Sequence, residues 1–394
     1  MRRALPLALL LLPAPLARAQ TNDHFFRSWR AGAEPLTARA AGMGGAVLAL
    51  PDDTAGIEAN PANLTSLGKT EVSASLRTTA DGDASYPQPS SRPDAFAGGS
   101  ALASASAAGR IGTRWAVGAS YQGTRRTRIE LAPRSLPDGL VDEGTLATSF
   151  DAVALAAAWH IGPSLHVGAR VAGARGSVEG AYRREAAGRA ADLRVETSGS
   201  ATRVAGGVGI AWQAAPAVRL GAAATSGATF SFDREATSPA QNVTLDPGSR
   251  YRLRQPAAVG AGACVRVSRH VTALAQLDRV RYGEIRSNLS IRQGAAARTD
   301  YALADGWEPR AGVEVSLPFR SVSLQLRGGW HRAAPGALRY AGTDAVEAAS
   351  FLGAPAHGAF SAGVSLAARS FRLDLAGVAA DPGTQVLAGI TGRF

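Results

Sequence analysis

The sequence predicts an all-β fold: a 14-stranded antiparallel transmembrane β-barrel over residues 69–394, plugged by an N-terminal hatch over residues 20–68. Three observations predict it. Apolar and polar residues alternate at period two from Lys69 onward. Tight turns recur at nearly constant spacing, with long polar segments between them. No apolar run after Gln20 approaches the ~20 residues that a helix needs to cross a bilayer. Residues 152–159 are among the longest, so a helical membrane protein is excluded.

The elements follow in order. Arg2 and Arg3 precede an apolar core at residues 4–16, and Ala17-Arg18-Ala19 reads as a cleavage site before Gln20. Residues 1–19 are therefore expected to be a secretory signal peptide. Residues 39–68 hold neither the helical nor the strand period for long. They carry Gly42-Met43-Gly44-Gly45, the acidic pair Asp52-Asp53 and Asn60-Pro61-Ala62. Strand periodicity then begins. Glu71, Ser73, Ser75 and Arg77 alternate with Val72, Ala74 and Leu76, and Trp115, Val117, Ala119 and Tyr121 with Gly118, Ser120 and Gln122. Ala311, Val313, Val315 and Leu317 alternate with Arg310, Gly312, Glu314 and Ser316. One apolar face and one polar or tiny face is the strand pattern.

The turns supply the strand count. Short breaks fall around Gly112, Pro163, Pro216, Ser268, Pro318 and Arg369, with successive gaps of 51, 53, 52, 50 and 51 residues. Longer loops are expected at 80–94, 132–143, 176–200, 232–252, 283–306 and 332–355, with a shorter one at 380–384. Short turns on one side and long loops on the other is the asymmetry of an outer-membrane barrel. Six turns and seven loops join fourteen strands. Propeller blades also repeat at about 40–50 residues, but each period here holds two long strands and no recurring blade motif.

Composition narrows the function. The single Cys264 makes no disulfide framework or metal cluster. The formal charge of +11 is almost all arginine, since Lys69 is the only lysine. No basic stripe with interleaved aromatics points to nucleic acid. Scattered arginines suit lipopolysaccharide phosphates outside and a polar lumen inside. The six histidines show no HExxH spacing, and neither a nucleophile elbow nor a phosphate loop occurs. No catalytic residue, metal or cofactor is assigned.

The hatch carries the candidate chemistry. Glycine-rich irregular backbone at membrane depth must be buried in protein or in a wet lumen. Asp52, Asp53 and Asn60 suit hydrogen bonds to backbone amides, and Pro61 fixes the chain after Asn60. Arg170, Arg266, Arg310, Glu314, Arg327, Arg372 and Asp374 lie on the polar faces of their strands, close to short turns, and predict a polar, salt-bridged lumen that holds the hatch. An arginine cluster receiving a substrate carboxylate is the alternative. Gly98-Gly99 in the second strand suits a bulge or kink.

The residues Gly42 to Gly45, Asp52-Asp53 and Asn60 to Ala62 resemble the hatch of FadL-type outer-membrane transport proteins, and in motif most closely its PorV/PorQ-type branch. The resemblance is local to the hatch and architectural beyond it. It implies an outer-membrane channel through which hydrophobic, fatty-acid-like small molecules diffuse, with a kinked early strand as a sideways route. The branch implies the rival role of a secretion-system partner that binds or anchors exported proteins. The last strand, with Val386, Ala388, Ile390, Gly392 and Phe394 on one face, resembles the terminal strand read by the barrel-assembly machinery.

Overall fold

The computed structural model describes residues 35–84, 94–135, 139–186, 191–238, 243–244, 249–288, 298–353, 356–379 and 384–394. The expected signal peptide and the hatch before residue 35 lie outside them.

The wall is a closed antiparallel barrel of fourteen strands. The first six are β1 (Glu71–Thr79), β2 (Asp94–Ala97 and Gly99–Ile111), β3 (Trp115–Ser135), β4 (Leu140–His160), β5 (Leu165–Ala186) and β6 (Ala191–Ala215). Next come β7 (Val218–Thr225 and Ala228–Ser238), β8 (Ser249–Gln255 and Ala258–Arg266), β9 (Val271–Val280) and β10 (Gly306–Phe319). The wall ends with β11 (Val322–Ala333), β12 (His357–Ala368), β13 (Phe371–Ala379) and β14 (Thr384–Arg393). Each strand pairs with its chain neighbours, and β1 closes the ring on β14 from Glu71↔Arg393 to Thr79↔Gln385. Closure removes both sheet edges, which is what permits a sheet to stand in lipid.

The alternation is opposite to that of a soluble protein. On β1, Glu71, Ser73, Ser75 and Arg77 are buried, whereas Val72 is 48% exposed and Leu76 59%. Val153, Leu155, Val171, Val204, Val208 and Ile210 likewise face outward. An apolar outer band around a polar interior is the arrangement a hydrocarbon solvent selects. Trp115, Trp159 and Trp212 are also exposed and stand beside the short turns, with Trp115 and Trp159 stacked at 5.8 Å between ring centroids. This is one interfacial aromatic girdle. The band identifies a membrane-spanning barrel.

The short turns occur where expected, except that the fifth sits at residues 320–321, just beyond Pro318. The long loops require correction. The β3–β4 ladder continues to Ser135↔Val141 and the β5–β6 ladder to Glu185↔Ala191, so 132–143 and 176–200 are mostly strand. Above the lipid, outward residues such as Glu179, Arg183, Arg194 and Glu196 are polar, which removes the apolar face that marks a strand in the sequence. Only Val178, Tyr182 and Val195 on the inner face keep the period. Segment 232–252 likewise continues β7 to Ser238 and starts β8 at Ser249. The described residues of segments 283–306 and 332–355, with Tyr282, build a small cap. In it Tyr301–Ala302 pairs with Arg339–Tyr340, followed by the helix Ala345–Ser350.

Inside the wall, the hatch fills the half nearest the short turns. It comprises α1 (Ala38–Gly42), α2 (Gly56–Ala59) and a 3-10 helix at Pro61–Ser66.

Candidate functional site

The hatch is seated by backbone proximity first. Thr37 caps α1, its hydroxyl accepting from Ala40 N at 3.2 Å. After Met43, which is fully buried, Gly44 and Gly45 take φ of +63° and +74°, the left-handed region open to glycine. That turn presses the hatch backbone onto β10 and β11. A Cβ on Gly329 of β11 would lie 2.1 Å from Gly44 N, and one on Gly44 would lie 2.6 Å from Trp330 O. Gly44 N also donates to Ser361 Oγ at 3.0 Å.

The second half of the hatch is tied by side-chain amides. Asn60 is fully buried; its Oδ1 accepts from Ala62 N, and its Nδ2 donates to Leu48 O at 2.7 Å and to Ile210 O of β6 at 3.0 Å. Pro61 opens the 3-10 helix and Ala62 is buried against β5. Asp52 adopts φ of +55°, a conformation Asp tolerates better than most residues, and its amide donates to Ser66 Oγ.

Asp53 belongs to a closed ring of alternating charge. Arg39 of α1 donates through Nε and Nη2 to the two oxygens of Glu314 at 3.1 Å each, and through Nη1 to Asp53 Oδ2 at 3.1 Å. Arg327 meets Glu314 Oε2 at 2.6 Å and Asp374 Oδ1 at 3.0 Å. Arg372 meets Asp374 Oδ2 at 2.8 Å and returns to Asp53 Oδ2 at 3.1 Å. Three guanidiniums and three carboxylates thus cancel, and every one of the six side chains is at most 10% exposed. Buried charges need this pairing, because an unmatched one carries a large desolvation penalty. Two members come from the hatch and four from β10, β11 and β13.

The other predicted lumen residues lie apart from the ring. Arg170 pairs with Glu58 of α2 at 2.5 Å, and Arg310 pairs with Asp278 at 3.0 Å and Glu308 at 3.1 Å. Arg266 is exposed at the short-turn end of β8, so it does not join the hatch seat. Sequence reasoning did not single out Arg39, Glu58, Asn63 or Gln276. Gln276 Oε1 accepts from Val47 N and Leu48 N at 2.8 and 3.0 Å, and Asn63 Nδ2 donates to Leu48 O at 3.0 Å. The available signal was Arg39 itself, a lone charge in a run of small apolar residues, where an unpaired cation has no place.

The expected polar lumen holds only at hatch level and must be corrected beyond it. Above the hatch lies a cavity of about 280 Å³, bordered by Leu48, Glu58, Gln122, Phe150, Thr225 and Arg310 among others. Above that, the inner faces of β3 to β8 form an apolar cluster that includes Ile129, Phe150, Tyr182, Phe230, Phe232, Tyr251 and Leu253. Phe150 and Phe230 meet edge-on at 5.2 Å. Tyr282, Tyr301, Tyr340 and Phe351 of the cap complete it. Burial, and then the hydrogen bond to Glu347, push the Tyr301 phenol upward, which keeps it neutral.

Gly98 stands between the two segments of β2. Its amide donates to Asp81 Oδ1 at 2.7 Å, and a Cβ there would lie 2.1 Å from Thr79 O, while Gly99 has open space. The β2–β3 ladder runs from Ile111↔Trp115 to Ser104↔Gln122 and resumes only at Ala97↔Arg128. Residues 98–103 and 123–127 are unpaired with one another across this interval. A comparable lapse at residues 199–205 of β6 is bridged by Arg203 Nε, donating to Thr229 O of β7 at 3.0 Å. Phe394 is 77% exposed on the outer face, its amide tied to Thr70 O at 2.9 Å.

A closed fourteen-stranded wall with an internal hatch and an apolar outer interior defines a plugged membrane barrel. No family model and no curated protein matches the chain. Solved structures do. The Ralstonia pickettii toluene transporter TbuX superposes with a TM-score of 0.67 at 16% identity, over 91% of this chain and 98% of that one. A Pseudomonas aeruginosa FadL homologue gives 0.65 at 12% identity, over 92% and 98%. The monoaromatic hydrocarbon channel CymD gives 0.59 at 14% identity, over 92% and 98%. The chain has the fold of the FadL-type barrels.

Proposed function

We propose that this protein is an outer-membrane channel for the diffusion of hydrophobic small molecules. One observation carries the reading: an apolar cluster fills the interior from the cap down to Phe150, which borders a cavity that ends on the docked hatch. Hydrophobic solutes need such a path because the lipopolysaccharide leaflet excludes them. The similar solved structures, a toluene transporter and a monoaromatic hydrocarbon channel, support the same class of solute. An anchoring partner of a secretion system has no need of a lined interior, so the channel reading is preferred. The lapse between β2 and β3 at Gly98 is the proposed sideways exit into the membrane, since the last ladder pair below it, Ser104↔Gln122, borders the cavity. Ligand and lipid are the partners in this reading, and no catalysis is involved.

The test is uptake of a labelled neutral hydrophobic solute, naphthalene, by porin-deficient, lipopolysaccharide-bearing cells, with and without the barrel. Phe230→Asp places a charge in the apolar interior and is expected to cut uptake about tenfold, equivalent to ~1.4 kcal/mol. Gly99→Val, which has room, favours regular strand and is expected to lower uptake as well. Uptake by the wild-type barrel no faster than in vector-only cells sinks the channel.

Phe394 is proposed as the residue read during assembly. Its deletion is expected to slow the appearance of the heat-modifiable form, with protease-sensitive chains accumulating in the periplasm. Unchanged assembly kinetics would remove that role.

A further inference from the structure

We propose that Gln122 makes the channel selective for neutral solutes bearing a hydroxyl or carbonyl group, over both the bare hydrocarbon and the anion of the same skeleton. The inference rests on the channel reading and names its substrate class.

Gln122 faces the lumen from β3, is 4% exposed and borders the cavity. Its Nε2 is buried and has no hydrogen-bond partner among the described residues. The neighbouring hydroxyls do have partners: Ser120 Oγ donates to Glu58 Oε1 at 2.5 Å, and Ser104 Oγ to Leu36 O at 2.9 Å. A buried amide donor without a partner stabilises whatever presents an acceptor to it, and on this border Arg170 Nε is unpartnered too. A hydroxyl can also donate back to the amide oxygen, so alcohols and phenols use both ends of the group.

Position makes this a checkpoint. Gln122 forms the last ladder pair before the β2–β3 lapse, so a solute moving from the cavity to the wall passes its carboxamide. Phe150, also on the cavity border, supplies an apolar surface for the rest of the solute.

Charge excludes the anion. The cavity border carries three carboxylates, Glu58, Asp278 and Glu308, against two guanidiniums, Arg170 and Arg310. Both guanidiniums are already in ion pairs with those carboxylates. A solute carboxylate would meet net negative charge and two guanidiniums already committed to ion pairs, and an uncompensated charge in a poorly hydrated site is costly.

The experiment compares naphthol, naphthalene and naphthoate, one ring system with three end groups, in the same porin-deficient cells with vector-only rates subtracted. Wild-type barrel is expected to admit naphthol fastest and naphthoate slowest. In Gln122→Met and Gln122→Leu, the naphthol-to-naphthalene ratio should fall about fivefold, the effect of one neutral hydrogen bond. Because the ratio is taken within one barrel, expression level cancels, and the wild-type ranking stands even if neither variant folds. An unchanged ratio in a folded variant, or naphthoate entering as fast as naphthol, overturns the proposal. A wild-type barrel that admits none of the three overturns the channel reading itself.

Discussion

Replacing Arg39 with methionine is expected to release the hatch while leaving the wall intact. Methionine fills the same aliphatic volume but removes the one cation that joins Glu314 of β10 to Asp53 of the hatch. The remaining ring then holds two guanidiniums against three carboxylates, all buried. Removing one partner of a buried pair typically costs ~3–5 kcal/mol, here charged against docking because the strand ladders are untouched. Single-channel recording in planar bilayers should show a larger and noisier conductance, and protease should cleave within residues 35–68. The double variant Arg39→Met with Glu314→Gln restores neutrality and should lose less than the single one, a coupling that a double-mutant cycle reads directly. Wild-type conductance in Arg39→Met would show that the ring does not hold the hatch.

The second large effect is expected from Gly329→Val. Its Cβ would fall 2.1 Å from Gly44 N and 2.3 Å from Met43 C, both backbone atoms with no rotamer in which to escape. Overpacking a close contact costs ~1–3 kcal/mol, and here the relief is for the hatch to lift away from β11. The control is next door. Gly328 has its nearest non-local atom, Val313 Cγ1, at 3.8 Å. Valine at 328 should therefore leave conductance unchanged, while valine at 329 should raise it. Equal behaviour of the two variants would mean that the hatch does not rest on this glycine.

Much of the wall was legible because lipid and lumen enforce opposite polarity on alternate residues. Glu71 to Arg77 and Arg310 to Leu317 show it without ambiguity. The turns were legible through proline and glycine. The outer hairpins were not, because above the membrane the outward face of β5 and β6 turns polar, as at Glu179 and Glu196. Phe230 and Phe232 went unread for a related reason: Phe232 falls where Asp233 and Arg234 give the sequence the look of a loop. In the hatch, the glycines and Asn60 announced themselves, but Arg39 and Glu314 are 275 residues apart, and no local pattern encodes such a partnership. Arg266 shows the converse: its strand face was read as lumen-directed, but depth decides whether that means buried, and depth is not written in alternation.

The ring of charges also imposes an order on biogenesis. Asp53 and Arg372, 319 residues apart, share a single hydrogen bond. One belongs to the earliest described part of the chain and the other to the penultimate strand. Until β13 has taken its place beside β12, the hatch has two of its four wall partners at most, Glu314 and Arg327, and Asp53 lacks its second cation. A nascent wall therefore offers its plug an incomplete socket. The lumen stays unstoppered while strands are still being added, and the seal becomes available only when the barrel is nearly ready to close.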